Sequence, residues 1–155
     1  MHDRTRAVTP VIGAVLLVSL AVLASVAVSA AAFHVQPPDA PRHTALSLHV
    51  DAATDRVALV HEGGAPLDAG AVRLRVTVAG EPLAHQPPVP FFSARGFESG
   101  PHGPFNPAAD QTWTAGETAS FRLAATNAPR PDPGDVVRVE VSVDGATVAN
   151  LTARG

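Results

Sequence analysis

Val137-Arg138-Val139-Glu140-Val141-Ser142-Val143-Asp144-Gly145 is the stretch that decides the fold. Up to Asp144 its odd positions are all valine and its even positions are charged or hydroxylated. A period of two is the strand period, and one apolar face against one polar face describes an antiparallel strand with one side in water. Asp144-Gly145 then supplies a hairpin turn signal. Ala146 to Thr152 returns as the partner strand.

The same alternation recurs on the N-terminal side. Leu46, Leu48 and Val50 alternate with Ser47 and His49, and Arg56 to His61 reads as a second strand. Val72, Leu74, Val76 and Val78 alternate with Arg73, Arg75 and Thr77, and Thr118 to Ala125 places Phe121 and Leu123 on one face. Six or so short strands separated by Gly and Pro predict an all-β domain over residues 44–155, folded as a small antiparallel β-sandwich. No helical periodicity of useful length follows Val35.

The alternation fails over residues 86–110. Six prolines fall there, among them Pro87, Pro101 and Pro107, with Phe91, Phe92, Phe97 and Phe105. Loops of this length are uncommon in compact domains. Buried aromatics contribute strongly to small cores, so these Phe side chains are expected to cover the open end of the sandwich. The other reading is a contact loop with aromatic anchors. Trp113 is expected in the core or as a plug at a strand end.

Composition sets limits on function. The chain has 155 residues and a net charge of −3, with no lysine and no cysteine. Disulfides and thiolate metal sites are excluded. No basic footprint for nucleic acid is visible.

Upstream of the β-domain the character changes. From Ala7 to Phe33 there is no charged residue, and Val, Ala and Leu dominate. As a helix, Val8 to Phe33 would reach roughly 39 Å, against about 30 Å for the hydrocarbon core of a bilayer. The run is longer than a secretory h-region of about 7–15 residues. Thr9 suits an N-cap and Pro10 the first helical position, where a missing N–H costs nothing. Arg4 and Arg6 precede the run, which orients the N-terminus to the cytoplasm and the chain beyond it to the outside. Gly13, Ala14, Ser19, Ala21 and Ala24 are small enough for close helix–helix approach. Residues 36–43, which include Gln36-Pro37-Pro38-Asp39-Ala40-Pro41-Arg42, read as an extended Pro-rich linker.

Arg4-Thr5-Arg6-Ala7-Val8-Thr9-Pro10-Val11-Ile12-Gly13-Ala14 resembles the N-terminal signature of archaeal type IV pilins, those of haloarchaea especially. In that family a short charged leader precedes a small residue, followed by a hydrophobic residue, Ser or Thr, and Pro-Val-Ile-Gly. The resemblance implies a leader over residues 1–7, cleavage by a prepilin peptidase between Ala7 and Val8, and a transmembrane assembly helix over residues 8–35 beginning at Thr9, Pro10 and Gly13. It also implies partners: membrane lipid, the peptidase, and copies of the chain or other pilins. Thr9 stands where Ser is commoner. Ile12 stands where bacterial pilins carry Glu, which sets the chain apart from the bacterial type.

Candidate chemistry is sparse. His61-Glu62-Gly63-Gly64 has no second His at helical spacing, so it is not a zinc-protease motif. Its Gly residues and Pro66 predict a turn. The seven His are scattered without the close spacing of a zinc site; for His49 and His61, on neighbouring strands, the alternatives are a meeting across the sheet and, the favoured reading, separate surface groups. No nucleophile, acid–base pair or cofactor motif stands out, so no enzymatic role is expected. Asn150-Leu151-Thr152 is a glycosylation sequon, relevant if the domain lies outside the cell. The leading expectation is a pilin or pilin-like subunit of a surface filament for adhesion or cell–cell contact. The rivals are a monomeric single-pass anchored binding or accessory domain, and a domain released at Ser29-Ala30-Ala31-Ala32 by signal peptidase.

Overall fold

Alternating valines need a second apolar layer, and the β-domain supplies one. The computed structural model describes residues 13–22 and 44–155. The chain divides into two units, Met1–Ala40 and Pro41–Gly155.

In the first unit, residues 13–22 are α-helical. Ser19 Oγ donates to the Val15 carbonyl at 2.8 Å, four residues back, a bond that keeps its hydroxyl satisfied on an apolar helix. The leader, the cleavage site at Ala7 and Val8, the helix start at Thr9 and Pro10, and the linker lie outside the described residues. Among the described residues no helix is long and apolar enough to cross a membrane.

The second unit is a sandwich of nine strands. They are β1 (Thr44–Asp51), β2 (Arg56–Gly64), β3 (Leu67–Asp68), β4 (Val72–Val78), β5 (Glu81–Pro82), β6 (Thr112–Trp113), β7 (Thr118–Arg122), β8 (Val136–Val143) and β9 (Ala146–Arg154). One sheet has the order β1-β2-β7, the other β5-β4-β8-β9, and β3 pairs with β6 at one end. All ladders are antiparallel. A three-stranded sheet facing a four-stranded one in this order is the immunoglobulin-type arrangement, and a fold of that kind carries no function by itself. The edge strands β1 and β9 run close beside each other without ladder bonds. Gly155 abuts Val50 and Ala52, so both strands end at the same pole.

The register explains the valine pattern. Val76, Val139 and Leu151 share one row across the four-stranded sheet, and Leu74, Val141 and Ala149 the next. These side chains meet Val57, Leu59 and Phe121 of the other sheet in a single core. The alternate rows, such as Arg75-Glu140-Asn150, face water. Asp144 and Gly145 both have positive φ, the type I′ geometry of a two-residue hairpin. Ala79-Gly80 makes the same turn between β4 and β5. That hairpin escapes the sequence reading because alanine is not a residue expected at φ +51°.

The irregular region runs between Pro82 and Thr112, slightly beyond the expected 86–110. Phe91, Phe97 and Phe105 are buried and Phe92 is 65% exposed. Phe105 packs edge-on against Trp113 at 5.4 Å, and Phe97 against Phe121 at 5.5 Å. Three of the four loop Phe residues therefore close the end of the sandwich, and one does not. Trp113 is fully buried and its indole N–H donates to the Glu117 carbonyl.

Two side-chain amides hold the start of this loop. Gln86 accepts from the Val76 N–H and donates to the Val76 carbonyl, as a neighbouring strand residue would. Asn127 does the same for His85. Further on, the loop lies along the free edge of β7 and the residue that follows it, through bridges His102–Ser120 and Phe97–Leu123. Gly103 permits this approach: at φ +64° a Cβ there would sit 2.2 Å from the Thr118 carbonyl oxygen.

His61-Glu62-Gly63-Gly64 is not a turn but the bulged end of β2. Leu46 pairs with His61 and Ala45 with Gly63, leaving Glu62 extra. Nor is His61 a surface group. It is fully buried, its Nε2 is 3.0 Å from the Ala65 carbonyl, and its ring meets Trp113 edge-on. Its partner across the ladder is Leu46, whereas His49 pairs with Ala58 and is exposed, so the two imidazoles do not meet.

Candidate functional site

The helical residues 13–22 combine Gly13, Ala14 and Ala21 with larger aliphatics. Every one is exposed within the single chain, and Val15, Leu16, Leu17, Val18, Leu20 and Val22 lie between 58% and 70% exposed. A helix apolar all round is stable in water only when something covers it. Each such side chain gains about 1.5–3 kcal/mol on burial. No charge interrupts the segment, so lipid and a bundle of similar helices are equally acceptable surroundings. Of the residues expected at the helix start, Gly13 is described, and a Cβ on it would meet nothing within 4 Å.

The β-domain carries a second feature, a cleft of about 510 Å³ at the β2–β7 ends. Arg56 and Arg122 stand opposite each other in register. Arg122 donates to Glu98 at 2.9 Å and through Nε to the Thr54 carbonyl at 3.0 Å. Arg56 donates through Nε and Nη2 to a single oxygen, Ser120 Oγ, at 3.2 and 3.1 Å. Asp51 lies nearby. The Thr54 hydroxyl, the Ala53 and Thr54 N–H groups and the Arg122 charge hold its carboxyl below the ordinary value, against a smaller desolvation in the other direction. This grouping has no sequence signal, because its members come together only through strand register.

Asn150 and Thr152 face outward on β9, with Leu151 turned half inward. Both sequon side chains are exposed, although the backbone is paired with β8. Among the described residues no three His, Asp or Glu converge as a metal site requires.

The molecule thus belongs to the class of proteins in which an apolar N-terminal helix, unable to cover itself, precedes a self-contained antiparallel β-domain. Residues 6–45 match the family model described as archaeal type IV pilin, N-terminal. The match ends on Ala45, the second residue of β1. That family is one of structural, membrane-anchored subunits of surface pili. No curated protein matches the chain.

Proposed function

We propose that this chain is a type IV pilin or pilin-like subunit, stored in the membrane and assembled into a surface filament through its N-terminal helix. The observation that carries the reading is the family match over residues 6–45. The uncovered apolar surface of residues 13–22 supports it physically, since moving from lipid to a bundle of similar helices exposes little apolar area to water. In this reading a prepilin peptidase cuts between Ala7 and Val8, leaving the helix on the mature protein. Arg4 and Arg6 keep the N-terminus cytoplasmic until the cut. Residues 36–43 space the β-domain from the core, and the domain forms the outer surface for adhesion or cell–cell contact. Asn150, if the domain is outside, is the glycan acceptor.

Mass spectrometry of the mature protein tests this directly. The expected N-terminus is Val8, and Ala7→Leu is expected to block its formation. An intact leader, or a start near Ala31, overturns the reading. Shearing cells then separates filament subunit from monomeric anchor: a subunit is released with the filaments, whereas an anchor stays wholly with the membrane.

A further inference from the structure

We propose that the cleft between the β2–β7 ends and the 98–102 segment binds a carboxylate-bearing sugar, a uronate within an oligosaccharide. The inference stands on the β-domain and is independent of filament assembly.

The argument begins with charge pairing. Two arginines directly opposite on an antiparallel ladder repel, a destabilising arrangement. Arg122 is relieved by its ion pair with Glu98. Arg56 has no such ion pair among the described residues: Asp51 stands opposite it on β1 but accepts from the Ala53 N–H and the Thr54 hydroxyl, and the Arg56 fork meets the hydroxyl of Ser120. One guanidinium without an ion pair among the described residues therefore faces the cleft.

That guanidinium is also held in place. Ser120 is 3% exposed, with its backbone locked to His102 by bonds of 2.7 and 3.1 Å. Its hydroxyl fixes one edge of the Arg56 fork, and the remaining N–H groups are uncommitted. A planar guanidinium with a free edge matches the two oxygens of a carboxylate. Orientation in advance lowers the entropy cost of binding.

The rest of the lining selects what carries the carboxylate. Glu98 in the lining and Asp51 beside it offset the two arginines, so the site disfavours a dianion such as phosphate more than a monoanion. Ser99 and His102 are exposed at the rim and offer hydrogen bonds to hydroxyls. The volume lies within the range of small-ligand sites. A monoanion rich in hydroxyls, as a uronate is, meets all three conditions.

The test uses the full chain in nonionic detergent and calorimetric titration with trigalacturonate. Galactotriose and sodium sulfate serve as neutral and inorganic comparisons. Trigalacturonate is expected to bind, more weakly as salt is raised. Arg56→Gln is expected to weaken it by about tenfold or more, the loss of a charge-assisted hydrogen-bond pair. Arg56→Lys, which keeps the charge but not the fork, should lose part of that affinity, and Ser120→Ala, which frees the fork, several-fold. Arg73→Gln on the other sheet should bind as wild type does. Melting curves establish that each variant is folded. Absence of binding by the wild-type chain overturns the proposal, as does equal affinity for galactotriose. Sulfate binding as tight as the uronate, or undiminished binding by folded Arg56→Gln and Ser120→Ala, overturns it too.

Discussion

Residues 13–22 and β8 are both rich in valine, yet they end in opposite situations. In the helix every Val and Leu side chain is more than half exposed; in β8 Val137, Val139 and Val141 are fully buried. The difference is in the spacing. β8 puts a polar residue at every second position, so a strand can turn one face to a partner and the other to water. The helical stretch has no polar face to keep wet, and one serine whose hydroxyl turns back to its own backbone. One region completes itself within the β-domain, while the other depends on surroundings that the described residues do not provide.

The contrast breaks most sharply with a charge in the helix. Leu16→Asp is expected to cost about 2.5–3.5 kcal/mol in an apolar environment and to remove the protein from membrane and sheared-filament fractions. The melting of the β-domain should not change. If both fail together, the two regions are not independent. Within the β-domain, Phe105→Ala should destabilise by about 3–5 kcal/mol in denaturant titration, whereas Phe92→Ala, in the same loop, should fall within about 0.5 kcal/mol of wild type. Equal losses would mean that the loop is held by something other than its buried rings. Ala79→Asn should raise stability by about 1 kcal/mol, because Asn tolerates the left-handed conformation that alanine is forced into there. The smallest effect belongs to Asp51→Asn. The Asp51 carboxyl is more acidic in the folded chain than in the unfolded one. Its stabilisation is thus present above the unfolded value and fades as pH falls through the folded one. The gap in melting temperature between wild type and Asp51→Asn should close over that acidic range.

β1, β4 and β8 were legible in the sequence through their alternation, and β9 through the Asp144-Gly145 hairpin that precedes it. Their pattern records one face turned inward: that face is buried in β4 and β8 and half-buried in β1 and β9. The two-residue strands β3, β5 and β6 are too short to have a period. His61-Glu62-Gly63-Gly64 misleads because Gly marks bulges as well as turns, and only pairing with Ala45 and Leu46 decides between them. Composition indicates that the 86–110 loop caps a core, but not that Phe92 is left out. The N-terminal signature at Ala7-Val8-Thr9-Pro10 reads through resemblance, and its match at residues 6–45 is independent of any contact within the β-domain. The Arg56 cleft was invisible for the opposite reason, since it has no local motif and arises from two distant strands in register.

The way the loop lies along β7 has a consequence for crowding. Bridges at Phe97 and His102 occupy that margin, Pro82 shortens the margin at β5, Gln86 takes the hydrogen bonds beside it, and β1 and β9 shield one another. Neighbouring copies packed at high local density meet little open ladder to zip onto. Such domains can stand shoulder to shoulder without fusing into cross-β aggregates.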